Sequence, residues 1–472
     1  MGVSSKLVNM PKAMDKTVKI CVKLDGSLSE NFESIMGVKQ GVLKMSIFQF
    51  RCFGVVRILD GCSRQLHHGR RHLCSQNRQN KLLKHLQARI QANGPLTVAE
   101  YMKEVLTNPV MGYYMHRDVF GEKGDFITSP EISQMFGELI GVWVVNEWLQ
   151  CGSPPDLKVV ELGPGRGTLS ADMLRVFTNF PQMKGVVSLH LVEVSPKMAS
   201  MQESKLTGKT SSDTSHEPDS ENPGSFYKQC RTETGIPVAW YTHLADVPRG
   251  FSSFIAHEFF DALPIHRFRR TERGWCEVLV DIDENNNKDS LRFVLSRGST
   301  LATTSYLKHL KETESRKEVE VCPEGGVLVQ ELSTRIQEDG GFALIADYGH
   351  SGEKTDTLRG FREHQLHDVL SEPGSADLTA DVDFSYLDCI ARNSNRVSTF
   401  GPITQNVFLH YMGIQLRMKV LFQKAEEKAR KDLISSYDML TNPEKMGDRF
   451  KFFAIMQTKQ PNYKPAGFTP PT

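Results

Sequence analysis

The segment Val159-Val160-Glu161-Leu162-Gly163-Pro164-Gly165-Arg166-Gly167-Thr168-Leu169 constrains the fold more than any other stretch of the chain. A short apolar run feeds a turn with glycine at every second position, and helix-forming residues follow. Glycines at 163, 165 and 167 let backbone turn sharply and approach a ligand without a Cβ in the way. A strand–glycine turn–helix unit of this kind builds parallel α/β sheets and aims a helix N-terminus at whatever binds there. A dinucleotide fold wants G-x-G-x-x-G, with pyrophosphate on the helix N-terminus. Here the spacing is G-x-G-x-G, and Glu161 stands two residues before the first glycine. A carboxylate in that place repels pyrophosphate and suits a ligand carrying an ammonium and a sulfonium. S-adenosylmethionine is such a ligand.

The residues that follow extend this reading. Short apolar runs at Leu157–Leu162, Ser188–Val192, Val238–Tyr241, Ser253–Ala256 and Ala343–Ala346 alternate with helical segments, as parallel sheets require, and Phe450–Met456 reads as a last strand. Glu193 ends the second run, 26 residues after Gly167, where an acid can accept hydrogen bonds from both ribose hydroxyls. Dinucleotide folds use an acid there as well, so Glu193 does not discriminate alone. Val194 beside it either covers an adenine face or packs at a strand end. The fourth run leads into His257-Glu258-Phe259-Phe260-Asp261-Ala262-Leu263-Pro264. In doubly wound sheets ligands sit at strand C-terminal ends, so this segment faces the donor. Glu258 and Asp261, three apart, can hold a planar guanidinium through paired charge-assisted bonds. The bland readings are a helix cap or an ion pair with Arg267. His257 is either a base or a strand-end histidine with its needs met locally.

Outside that body, Lys81–Glu104 has helical periodicity broken at Gly94-Pro95, with Thr97 able to cap the second half. Ser129-Pro130-Glu131 reads as the start of a long, nearly charge-free helix through Trp148. Glu203–Gly224 is Ser-, Asp- and Glu-rich and reads as a solvated loop. Residues 266–296 alternate with period two around Asn285-Asn286-Asn287, an inserted antiparallel hairpin. Gly401–Gln405 reads as a turn into a helix. The expected division is an N-terminal extension over 1–80, a helical region and lid over 81–150, an α/β domain over 151–460 with insertions at 203–224 and 266–296, and a tail over 461–472.

Charge separates the first of these parts from the rest. The 472 residues carry 57 Lys and Arg against 56 Asp and Glu, but residues 1–80 hold thirteen cations and five acids, a net +8, which leaves −7 on the remainder. From Met45 to Asn80 the fully charged cations are all Arg, Asp60 is the single acid, and apolar residues are interspersed. That is the signature of a mitochondrial transit peptide, against the alternative of a plain basic tail. Lys-rich residues 1–44 are expected to precede the start that matters, Met45. A body of charge −7 with no basic aromatic groove excludes a nucleic-acid reader. Nine cysteines without a C-x-x-C pair give neither a disulfide framework nor a zinc site, and no run of ~18 uncharged apolar residues exists.

Glu161–Leu169 and His257–Pro264, together with Gly124–Glu131, Ala346-Asp347-Tyr348-Gly349 and Asp377–Phe384, resemble the MidA-type methyltransferases, in order and over about Lys81 to Met456. The eukaryotic members of that family are mitochondrial arginine methyltransferases that assist assembly of respiratory complex I. The resemblance implies a class I methyltransferase (Rossmann-like) fold and S-adenosyl-L-methionine as donor. It also implies a matrix location and symmetric dimethylation of an arginine in a complex I core subunit. On this reading Glu161, Gly163, Gly165, Gly167, Glu193 and Val194 hold the donor, and Glu258, Asp261 and His257 act on the substrate. The competing reading is a non-catalytic assembly chaperone that keeps the donor pocket; a nicotinamide-dependent dehydrogenase is disfavoured by the loop spacing. Residues 1–44 have no counterpart in the resemblance.

Overall fold

A computed structural model of the chain describes residues 81–116, 127–208, 226–284, 290–309, 314–393, 397–457 and 463–470, with the two-residue strands Lys23–Leu24 and Ser27–Leu28. The transit-peptide reading, Gly124–Phe126, most of the polar segment at 209–224 and the Asn285–Asn287 turn lie outside these residues.

Near-continuous apolar runs become strands covered on both faces. In chain order the central sheet has β1 (Leu157–Leu162), β2 (Val187–Val192), β3 (Lys228–Arg231), β4 (Pro237–Tyr241), β5 (Ser252–His257), β6 (Gly341–His350), β7 (Val397–Thr404) and β8 (Phe450–Gln457). Across the sheet the order is β7-β8-β6-β5-β1-β2-β4-β3. Neighbours from β6 through β5, β1 and β2 to β4 are parallel, whereas β8 runs antiparallel between β6 and β7. The chain leaves β1 toward β2 and returns on its other side at β5, with Leu162 in register with Ala256. A crevice therefore opens at the C-terminal ends of β1 and β5, where doubly wound sheets bind ligands.

Two hydrophobic layers sandwich the sheet. One contains helix α1 (Gln134–Gln150), helix α2 (Thr168–Phe177) and the helices that follow β7; the other contains helix α4 (Pro323–Asp339) and the Phe384–Arg392 helix. Every residue of α1 from Met135 to Leu149 is buried, the expectation for a helix apolar all round. Gly137 and Gly141 allow this fit: a Cβ on Gly137 would lie 2.5 Å from that of Asp172 on α2. The one long helix expected from Ser129 is in fact two. Ser129–Ile132 is a single turn, and Ser133, extended at φ −156°, accepts from Met135 N and caps α1 afresh. Competition from a good capping side chain explains the break.

Three further expectations are modified. Residues 203–207, expected in a loop, complete helix α3 (Pro196–Thr207), where buried Glu203 meets Lys228 Nζ at 2.6 Å. Gly401–Thr404 continues β7 through an irregularity, and only Thr404 acts as the cap of the Gln405–Tyr411 helix. The expected hairpin exists as Gly274–Ile282 against Leu291–Leu295, but His266–Thr271, Glu318–Val321 and Leu96–Thr97 join it as a five-stranded sheet. A lone hairpin has too little apolar surface to stand by itself, and recruitment of distant strands supplies the rest. The 81–93 helix and the Val98–Thr107 helix, which Thr97 and Glu100 cap reciprocally, pack in the same cluster.

Candidate functional site

The glycine turn after β1 holds three left-handed residues, with φ +64° at Gly163, +51° at Gly165 and +76° at Gly167, the last being the N-cap of α2. A Cβ on Gly163 would lie 2.6 Å from the Phe259 ring, so the turn and the post-β5 segment are in contact. Glu161 is buried at the end of β1 and accepts from Ser170 Oγ on α2. Burial lifts its carboxyl to about 7, against the lowering effect of Ser170.

Glu193 leaves β2 at the same end. Its Oε1 accepts from Ser195 N at 2.7 Å and its Oε2 from Gln202 Nε2 at 3.0 Å, and burial raises it to about 7. The Val194 amide also bonds this carboxylate, and of its about four lone-pair directions one is left for a ligand hydroxyl. Gln202 ties the cofactor side together: the same Nε2 donates to Gly165 O at 2.7 Å, while Trp240 Nε1 donates to Gln202 Oε1 at 2.8 Å. Nothing in spacing singles out Gln202 or Trp240. Val194 is 44% exposed and lines the adjoining cavity together with Thr242, His243 and Leu244. Those three follow β4 directly, so strand-end position alone could have flagged them.

The post-β5 segment is held by an unusual acceptor. Asp347 Oδ2, fully buried on β6, accepts from the amides of Phe259, Phe260 and Asp261 at 3.1, 2.9 and 3.3 Å. Its Oδ1 accepts from Tyr348 N at 2.9 Å. Glu258, at the hinge of this bend, has φ +49°, a region that non-glycine residues seldom enter and that marks stored strain. Its Oε1 accepts from Ser129 N at 3.3 Å and lies 3.5 Å from His257 Nε2.

Glu258 and Asp261 both line a cavity of about 1030 Å³ that runs on from the glycine turn. Burial and the proximity of Asp261 push Glu258 well above the carboxylate range. Asp261 is raised to about 7, chiefly by burial, with the Arg359 guanidinium pulling the other way. Arg267, the alternative partner for these acids, instead pairs with Asp356, Glu318 and Glu320. Among the described residues neither Glu258 nor Asp261 has a Lys or Arg within salt-bridge distance. Asp377 and Tyr114 share a 2.5 Å hydrogen bond on the same wall, and Asp381 is neutralised by Lys354 at 2.5 Å and Arg359 at 2.6 Å. Asp383 is a cap, accepting from Ser385 N and Tyr386 N.

His257 and Glu161 face elsewhere. The His257 ring lies between Phe136, at 4.9 Å, and Phe450, stacked at 6.0 Å, and burial depresses it to about 3, so it is neutral at physiological pH. Both residues border a small adjoining pocket with Thr128, Glu131 and Arg166, which shares Gly163, Gly165 and Glu258 with the larger cavity. No His, Cys, Asp and Glu group suited to a metal occurs among the described residues, and none of their helices is long and apolar enough to cross a membrane.

Comparison with known proteins agrees with this geometry. Residues 139–403 match a family described as "Putative S-adenosyl-L-methionine-dependent methyltransferase". A Danio rerio protein named mitochondrial protein arginine methyltransferase NDUFAF7 is 56% identical over 391 residues, 82% of this chain and 89% of that one. The Homo sapiens protein of the same name is 53% identical, over 81% and 85% of the two chains. A Burkholderia thailandensis protein crystallised with S-adenosyl-homocysteine superposes with a TM-score of 0.67 at 22% identity, covering 84% of this chain and 94% of its own, which supports the fold. This chain therefore belongs to the S-adenosyl-L-methionine-dependent methyltransferase family that includes those mitochondrial proteins.

Proposed function

We propose that the protein methylates an arginine side chain of a protein substrate, symmetrically and twice, on a core subunit of respiratory complex I in the mitochondrial matrix. The observation that carries the chemistry is one continuous cavity lined both by the glycine turn and Glu193 and by the acids Glu258 and Asp261, which meet no Lys or Arg within salt-bridge distance among the described residues. The matrix and complex I assignments rest on the relatives' mitochondrial names, the Arg-rich segment Met45–Asn80 and the MidA-type resemblance.

In this reading the backbone at Gly163, Gly165 and Gly167 cradles the donor, Glu193 takes a ribose hydroxyl, Val194 covers its adenine, and Glu161, in the small pocket across Gly163 and Gly165, attracts its cationic amino-acid end through the turn. Bound there, S-adenosylmethionine supplies a methyl group on a positively charged sulfur and departs as a neutral thioether. Glu258 and Asp261 hold the guanidinium planar and turn one nitrogen toward that methyl, and positioning of this kind is most of what an in-line displacement needs. As the new C–N bond forms, the nitrogen must lose a proton. Glu258, already high in pKa through burial, accepts it. His257 stays neutral beside Glu258, with its Nε2 3.5 Å from Oε1. The Val98–Thr107 helix and the segment from Arg359 to Asp381 wall the acceptor end.

Calorimetry with S-adenosylmethionine and mass spectrometry of complex I subunits incubated with the protein test the reading together. Glu258→Gln should keep donor affinity within about threefold and lower arginine methylation by 10²-fold or more, the usual weight of a positioned proton acceptor. Donor binding without any methylated arginine, alongside complete complex I assembly by the variant, would make the protein an assembly chaperone instead.

A further inference from the structure

The wall of the cavity changes character from floor to mouth. The deep acceptor end is acidic, with Glu258 and Asp261. Of the described cavity-lining residues that are largely exposed, Lys103, Lys354 and Arg449 are cations and Glu324 is the one acid. Lys354 is engaged with Asp381, but Lys103 and Arg449 make no ion pair among the described residues. Interleaved with them are exposed apolar side chains from three separate segments: Ile127 at 41%, Leu366 at 74% and Met439 at 36%. Each sits close to the acceptor end. Ile127 precedes Thr128-Ser129, whose backbone reaches Glu258; Leu366 pairs in register with Phe361 on the Arg359 strand; Met439 lies on the helix that packs against Ser129–Ile132.

Large apolar side chains left in water beside a charged cavity mark a contact surface. We infer that this rim selects an isolated arginine flanked by apolar residues, in an extended segment of the substrate, and rejects arginines in Lys- or Arg-rich segments. The inference rests on the arginine methyltransferase reading and adds its sequence preference. Charge complementarity supports it: the floor attracts one cation, and the unpaired Lys103 and Arg449 repel any second cation beside it, as like charges across an interface do. Apolar neighbours of the target gain burial against Ile127, Leu366 and Met439, whereas charged neighbours would be desolvated there.

The test uses the full protein and three eleven-residue synthetic peptides with one central arginine, flanked by Leu and Val, by Gly, or by Lys. The expected order of kcat/KM is apolar over glycine over basic, with at least a tenfold span. Leu366→Asp should lower kcat/KM for the apolar peptide at least fivefold through KM, with donor affinity by calorimetry serving as the check that the variant is folded. Lys103→Glu combined with Arg449→Glu should raise kcat/KM for the basic peptide at least fivefold. Equal rates on all three peptides, or a preference for the basic one, overturns the rim inference and leaves arginine methylation standing. Donor binding with no methylation of any arginine in peptide or protein overturns the underlying reading, and the rim inference with it.

Discussion

Asp347 shows how much of the chemistry depends on a residue that need not touch substrate. One of its oxygens receives three successive amides, and that grip draws the chain after β5 into the bend that leaves Glu258 at φ +49°. Asp347→Ala would leave buried amides without an acceptor, at about 1–3 kcal/mol for each. We expect a melting temperature at least several degrees lower and methyl transfer reduced far more than donor affinity, read by thermal melting, kinetics and calorimetry. Titration makes a second residue-scale prediction. Burial raises Glu147, Glu161 and Glu193 from 4.5 to about 7, so the folded, donor-free chain holds protons that the unfolded chain has lost. Raised carboxyl pKa values give stability that is full below about 4.5 and is lost as pH rises through about 7. Melting of the donor-free protein should therefore fall between about pH 4.5 and 7 and level off above. A cationic donor favours the ionised forms of Glu161 and Glu193, the two of these acids beside the glycine turn, so its affinity should rise with pH up to about 7, with proton release measurable in buffers of different ionisation enthalpy. Glu161, Glu193, Glu258 and Asp261 could be named from sequence because each lies at or just beyond the C-terminal end of a recognisable strand. Asp347's grip on three amides, Gln202's link between loop and acid, and the Tyr114–Asp377 wall could not, since they depend on segments far apart in the chain.

At the scale of elements, the glycine turn has the least freedom. Gly163→Ala adds a Cβ 2.6 Å from the Phe259 ring at a φ of +64°. The backbone term alone costs about 1–2 kcal/mol, and the shift it forces reaches both halves of the site through Phe259. Donor affinity should drop at least tenfold, with a lower melting temperature; a variant that binds normally would mean the turn relaxes freely. Strands of the parallel sheet were legible because burial on both faces leaves near-continuous apolar runs. The break at Ser133, the continuation of β7 through Gly401–Thr404 and the five-stranded extension were not. Each turns on a tertiary partner: a cap that competes with a helix, a neighbouring strand that straightens a turn, an apolar face that needs distant strands.

For the molecule as a whole, residues 463–468 work as a clasp on the back of the sheet. Buried Glu147 on α1 accepts from Tyr463 OH at 2.5 Å and Ala466 N at 3.1 Å, Trp143 Nε1 donates to Ala466 O at 3.0 Å, and Phe468 packs on Phe408. Tyr463→Phe removes a donor from a buried carboxylate, at about 1–3 kcal/mol. A melt lowered by several degrees with kcat within about twofold of the parent would place the clasp in stability and not in chemistry. The position of β8 carries a consequence of another kind, about time. It fills the gap between β6 and β7, so β6 keeps one bare edge until the chain has been made through residue 457. A polypeptide emerging N-terminus first cannot close its own sheet early, and an open edge is a risk for aggregation. Among the described strands, the one that locks the fold is the last to arrive.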